Sequence, residues 1–345
     1  MTRRLLALLA AVLVTLSAAA RPALAGTNAA AGTSGAQFLK IGAGSRAGAM
    51  GDAYSAIGDD VYSLYYNPAA ATLIREPQLG AAHTAYFQGA NYEVAAFAYP
   101  FSPVQGEEYS SHVLGLSIYN LSVPDIERRG TTESQSPVGT FGAGDYAYSA
   151  TYAYRHDRRL GLGVTGKMIH QTIDSYSASA YAMDAGAHFT PRPDSERPVS
   201  AAFVVKNLGS RPSFAGGASD PLPMQGTLGV GWKAIPKTLK VELDASKYRD
   251  TGLFFNFGAE LTRAFSDDMT GAFRFGYSGR RSGSGGMTGI SAGMGIQFHR
   301  ASFDFAWIPF GELGDTFRYS LLIKFGKGSA AEKAMGNARD RSARY

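Results

Sequence analysis

Along much of this chain hydrophobic and polar residues alternate one by one. Near the end, Phe317, Tyr319, Leu321, Ile323 and Phe325 take every second position, with Arg318, Ser320, Leu322 and Lys324 between them. A strand repeats its side-chain direction every two residues, so one face is aromatic and aliphatic and the other mostly polar. The same reading applies to Met269, Gly271, Phe273, Phe275 and Tyr277 against Thr270, Ala272, Arg274, Gly276 and Ser278. It applies again to Leu239, Val241, Leu243 and Ala245 against Lys240, Glu242, Asp244 and Ser246. The pattern predicts strands over 77–88, 91–101, 111–123, 145–156, 159–173, 178–190, 197–207, 223–235, 239–249, 253–265, 268–279, 287–299, 301–309 and 316–326. That makes about fourteen, an even number as single-chain bacterial barrels require. Over 77–101 the alternation is weak and assigns no facing.

The start of the chain changes what such strands mean. Arg3 and Arg4 precede an apolar run over residues 5–16, and Ala23-Leu24-Ala25 fits small-x-small cleavage. Residues 1–25 therefore read as a signal peptide, too short in their apolar part for a membrane span. An exported, strand-rich chain with few charges on one face fits a transmembrane antiparallel β-barrel in the cell outer membrane. Its apolar face meets lipid and its polar face lines a lumen. A secreted soluble sandwich also alternates, but does not ask for so many long strands.

Residues 37–76 follow a different rule. Small residues dominate and the period is mixed, which predicts a compact hatch inside the lumen. The organisation is then a signal peptide at 1–25, an N-terminal segment and hatch at 26–76, a barrel at 77–326 and a basic, Ala-rich periplasmic tail at 327–345. Connections fall into two sets. Those at 156–159, 235–237, 266–268 and 299–300 are tight and charged, as periplasmic turns are. Those at 124–144, 208–222, 280–286 and 308–315 are longer and rich in Gly, Ser or Pro, as outer loops are. The 102–110 and 88–91 connections break this rule.

Composition agrees. There are 42 Gly, 19 Tyr and 20 Phe, and 18% charged residues. Glycine allows close strand packing, and aromatics suit membrane interfaces. The absence of cysteine removes disulfides, thiolate metal sites and thiol nucleophiles. A net charge of +5 without a basic, aromatic-studded face gives no reason to expect nucleic acid. No enzyme is expected either, and no cofactor or metal. The six histidines lack metal-ligand spacing, and Gly283-Ser284-Gly285 lacks the spacing of a nucleophile elbow. Asp59 and Asp60, adjacent on extended chain, are expected to point apart.

Residues 37–71, QFLKIGAGSRAGAMGDAYSAIGDDVYSLYYNPAAA, resemble the opening of the PorV/PorQ family, a branch of the FadL-like outer-membrane barrels. The shared features are Phe38-Leu39, Arg46, Met50-Gly51, Ala53, Asp59-Asp60 and Asn67-Pro68-Ala69. Lys206-Asn207-Leu208-Gly209 and the run from Pro309 to Gly314 add to them. The resemblance implies a fourteen-stranded barrel with a hatch. It also implies a non-catalytic part in protein secretion, with a type IX-like translocon or its cargo as partner. The alternative it carries is passage of hydrophobic small molecules; a structural barrel in an envelope complex is a further one. A lumen filled with ion pairs would count against conduction.

Candidate site residues follow. Arg46, Gly51, Asn67, Pro68 and Ala69 form the hatch motif, structural or gating. Glu242, Asp244, Glu260 and Arg274 form a polar network in the lumen. Lys167, Asp184, His188, Lys206, Asp304, Arg318 and Lys324 also face inward on the alternation. Arg46 is expected to pair with Glu242, Asp244 or Glu260 in a buried ion pair.

Overall fold

The computed structural model describes residues 31–131, 135–214, 217, 219–282 and 287–326. The segments expected to be a signal peptide (1–25) and a periplasmic tail (327–345) lie outside them. Fourteen strands close into one antiparallel barrel in which each strand pairs with its sequence neighbours, and the last pairs with the first. They are β1 (Gln78–Ala85), β2 (Asn91–Pro100), β3 (His112–Arg128), β4 (Gly139–Arg155), β5 (Leu160–Ile173), β6 (Tyr176–Phe189) and β7 (Val199–Gly209). The ring continues with β8 (Gln225–Ile235), β9 (Leu239–Tyr248), β10 (Leu253–Ala264), β11 (Met269–Ser278), β12 (Ile290–Phe298), β13 (Ala301–Pro309) and β14 (Asp315–Lys324). Every expected strand has its counterpart, with ends displaced by a few residues.

The alternation sorts as a barrel wall requires. In β14, Phe317, Tyr319 and Leu321 are exposed outward, while Arg318, Ser320 and Leu322 are buried inward. Gly80 lies opposite Leu322, so the terminal stripe closes onto the first strand near residue 80. The facing that the sequence leaves open over 77–101 is regular: Tyr92, Val94, Ala96 and Ala98 point in, and Glu93, Phe97 and Tyr99 point out. The pattern is weak there because alanine occupies both faces, and His83 and Glu93 stand on the outer one, 2.6 Å apart. No helix among the described residues is long and apolar enough to cross a membrane; the apolar surface is the outer face of the strands.

The connections obey the length rule less well than expected. At one end, the turn end, 236–238 and 299–300 are tight but 190–198 is long. At the other, the loop end, 174–175 and 249–252 are tight. At 174–175 the tight turn is possible because Asp174 adopts a left-handed backbone (φ 53), as hairpin turns of this size require. β3 and β4 are 17 residues each, whereas β1 is 8 and β13 is 9, so the wall is uneven in height.

Residues 31–76 cross the interior. They begin at the loop end, where Gly35 N donates to Pro221 O and Lys40 pairs with Asp250 at 2.6 Å. They leave at the turn end, where Ser110 N donates to Thr72 O. Two short helices, α1 (Ser45–Ala49) and α2 (Ser63–Tyr66), and a 3-10 turn (Pro68–Leu73) lie along the way. α1 packs on β11–β14, and the 3-10 turn on β3–β6. Tyr62 Oη lies within hydrogen-bond distance of both Ala81 O and Leu321 O, at 2.8 and 2.9 Å. It therefore spans the junction of β1 and β14.

Candidate functional site

The contact between the interior segment and the wall is the candidate site, and it begins with Arg46. Its Nε and Nη2 donate to the two oxygens of Glu260 at 2.6 and 2.8 Å. This is the fork-to-fork geometry that suits guanidinium and carboxylate. Of the three expected partners, only Glu260 is used. Nη1 reaches Asp59 and Asp60 together. That corrects the expectation that these two carboxylates point apart: the chain bends at Asp60 instead of running as a strand, and both converge on one cation. Glu260 also accepts from Arg274 Nε at 2.8 Å, and Arg274 reaches Asp304 at 2.6 Å. Lys240 bridges to Asp59 at 2.8 Å.

Glu242 and Asp244 are buried but belong to a different arrangement. Glu242 accepts from Ala56 N at 2.6 Å and Ile57 N at 3.2 Å. Asp244 accepts from Ser55 Oγ at 2.6 Å and Tyr54 N at 3.2 Å. The expected network therefore splits: Glu260 and Arg274 join an ion-pair cluster, while Glu242 and Asp244 satisfy backbone donors of the interior segment. Such donors are costly to leave unpaired inside a wall.

Asn67-Pro68-Ala69 opens the 3-10 turn. Asn67 Oδ1 accepts from Ala69 N at 3.0 Å, with proline at the first position, as capping residues do. Asn67 Nδ2 donates to Ser55 O at 2.8 Å. Gly51 has φ +69, and a Cβ there would meet Tyr277 O at 2.5 Å, so the chain needs glycine for both conformation and closeness. Among the other residues expected to face inward, Lys167, Asp184, His188, Lys206, Asp304 and Arg318 are buried. Lys167 pairs with Asp184 at 2.6 Å. Lys324, at the end of β14, is only half-buried.

Beside the interior segment, toward the loop end, lies a cavity of about 30 Å³ lined by residues including Lys40, Asp52, Tyr66, Lys206, Tyr248 and Arg280. It has room for a water or two. On the outer wall, a depression of about 460 Å³ lies over Ala81 and Ala95, bordered by Ile118, Phe303, Tyr319 and Leu321. Near the loop end three arginines gather around Asp52. Arg318 Nη1 donates to Gly42 O at 3.1 Å and pairs with Asp52 at 3.3 Å. Arg280 Nη2 donates to Lys40 O at 3.2 Å. Arg281 donates no side-chain hydrogen bond. Burial opposes ionisation of Asp52, but Arg318 and then Arg281 outweigh it and hold the carboxyl below its ordinary range. Of this group the alternation assigns only Arg318 to the lumen. Arg280 and Arg281 fall in a stretch that reads as an ordinary outer loop. Among the described residues no group of three or more His, Asp or Glu is placed to hold a metal ion.

No protein family matches the sequence, and no curated protein matches it significantly. Solved structures do match its fold. The Ralstonia pickettii toluene transporter TbuX superposes with a TM-score of 0.53 at 13% identity, over 83% of this chain and 99% of that one. The CymD monoaromatic hydrocarbon channel gives 0.53 at 11% identity, over 83% and 98%. The Pseudomonas putida toluene transporter TodX gives 0.52 at 10% identity, over 82% and 97%. Two of these are toluene transporters and the third a monoaromatic hydrocarbon channel. At such identities the likeness is one of fold alone, that of a closed fourteen-stranded antiparallel barrel.

Proposed function

We propose that this protein passes small hydrophobic molecules across the outer membrane, with residues 31–76 as its gate. The observation that carries this reading is a wall of fourteen strands, like that of the hydrocarbon transporters, closed around an interior segment. The cavity beside that segment holds only about 30 Å³, too little for a toluene molecule, so the reading has the segment shift to let a solute through. The outer depression over Ala81 and Ala95 offers an apolar resting place on the lipid side. Uptake of labelled toluene by cells with and without the protein tests it. Faster uptake of toluene, with no gain for a sugar of similar size, is the expected result. Equal toluene uptake in both ends the reading.

A second reading rests on the filled lumen itself. A barrel whose interior is locked by ion pairs can act through its outer loops, as a docking point for a secretion translocon or its cargo. Purification from native membranes separates the two: a stoichiometric protein partner favours docking, and a lone barrel with normal toluene uptake favours transport.

A further inference from the structure

Among the described residues, Arg281 is the one arginine at the loop end whose whole guanidinium is buried and unpaired. The residue is 6% exposed, and Nε, Nη1 and Nη2 all lack a hydrogen-bond partner. Burying a cation without an acceptor is costly, and proteins seldom do so without a ligand or function. Its charged neighbours make matters worse. Arg318 and Arg280 stand close by, and Asp52 is the carboxylate set against all three. Lys40 also stands near Arg280, but is itself paired with Asp250 at 2.6 Å. Burial pushes the Arg281 guanidinium down to about 10. Asp52 opposes this, while Arg318 and Arg280 add to it. Arg318 Nε is also buried and unpaired. Above this cluster sit three aromatic rings. Arg281 Cζ lies 5.9 Å from the Phe310 ring centroid. Tyr86 and Phe87 contact the same ring at 5.6 and 5.8 Å between centroids.

We propose that Arg281, with Arg280 and Arg318, binds the carboxylate or phosphate of an organic anion, whose apolar body lies against Phe310 and Phe87. A guanidinium fork matches both oxyanions, and the aromatic rings favour an aryl body over a bare ion. The site is independent of whether the barrel transports hydrocarbons. Its position couples it to the interior segment. Arg280 holds Lys40 O and Arg318 holds Gly42 O. An oxyanion competes for those donors, so its binding loosens residues 40–42 from the wall. The anion is then a key for the segment, and Arg281, which holds no backbone group of it, is the part of the site whose donors are all unused.

The full-length mature barrel in detergent is titrated with benzoate, phenyl phosphate, inorganic phosphate and toluene by equilibrium dialysis. Arg281→Gln and Arg281→Lys are tested beside it, each checked for folding by heat-resistant migration. Benzoate and phenyl phosphate should bind saturably. Their affinity should fall ~10-fold or more in Arg281→Gln, the loss of a charge-assisted hydrogen bond, and less in Arg281→Lys. Toluene should not respond to either variant. Hydrogen exchange at 40–52 should rise with benzoate in the wild type and not in Arg281→Gln. No saturable binding of either aryl anion to the wild type overturns the site, as does unchanged affinity in whichever variant folds. Inorganic phosphate binding as tightly as phenyl phosphate overturns the aryl pocket. Unchanged exchange at 40–52 overturns the coupling.

Discussion

Two groups of arginines meet the interior segment, one in the turn half of the barrel and one at the loop end. In the first, Arg46 and Arg274 share Glu260, and Asp59, Asp60 and Asp304 take up the remaining donors. In the second, Arg280, Arg281 and Arg318 surround Asp52, with no other carboxylate among the described residues in bonding distance. The residue type is the same and the burial is similar. What differs is the supply of acceptors. A buried guanidinium with matched oxygens fixes a conformation; one without them is a vacancy for a ligand, held in place by the rest of the fold.

That contrast can be broken most forcefully at Arg46. Replacing it with alanine leaves Glu260 and two aspartates short of a cation, and should destabilise the barrel by about 3–5 kcal/mol. Urea unfolding from lipid vesicles measures it. A smaller loss, about 1–3 kcal/mol by the same assay, is expected for Gly51→Ala, because the new Cβ meets Tyr277 O in a left-handed backbone. Asn67→Ala should cost about 1–2 kcal/mol by removing the cap of the 3-10 turn. The smallest effect sharpens the comparison most. Arg281→Met should leave stability within about 1 kcal/mol of wild type, or raise it, because it removes a cation with no partner. A large loss there would mean that the two clusters are alike after all.

The wall is legible from the sequence because its rule is local: residue by residue, alternation assigns Phe317 outward and Arg318 inward. The ion pair of Arg46 is partly legible. Alternation puts Glu242, Asp244 and Glu260 on the inner face, but choosing among them needs the depth at which α1 sits. Of the loop-end cluster only Arg318 is legible, from its inward place in the alternation. Asp52 is brought to Arg281 and Arg318 across more than two hundred positions because residues 31–76 cross the interior of the ring. An arginine doublet is no guide, since 128–129, 158–159 and 280–281 are all doublets. At the first two, partners such as Asp174 and Glu107 stand on neighbouring connections. At the third no carboxylate among the described residues pairs with the doublet.

Tyr62 carries a consequence for assembly. Each junction in the ring joins strands adjacent in sequence, except that between β1 and β14. That seam closes a loop of nearly the whole chain, the step with the largest ordering cost and the slowest kind of contact to form. Tyr62 Oη sits on it from inside, beside one carbonyl of each strand. The interior segment is also the part of the described chain that is synthesised first. It is thus positioned to be the mould on which the ring shuts: the last strand finds the first because residue 62 already marks where they meet.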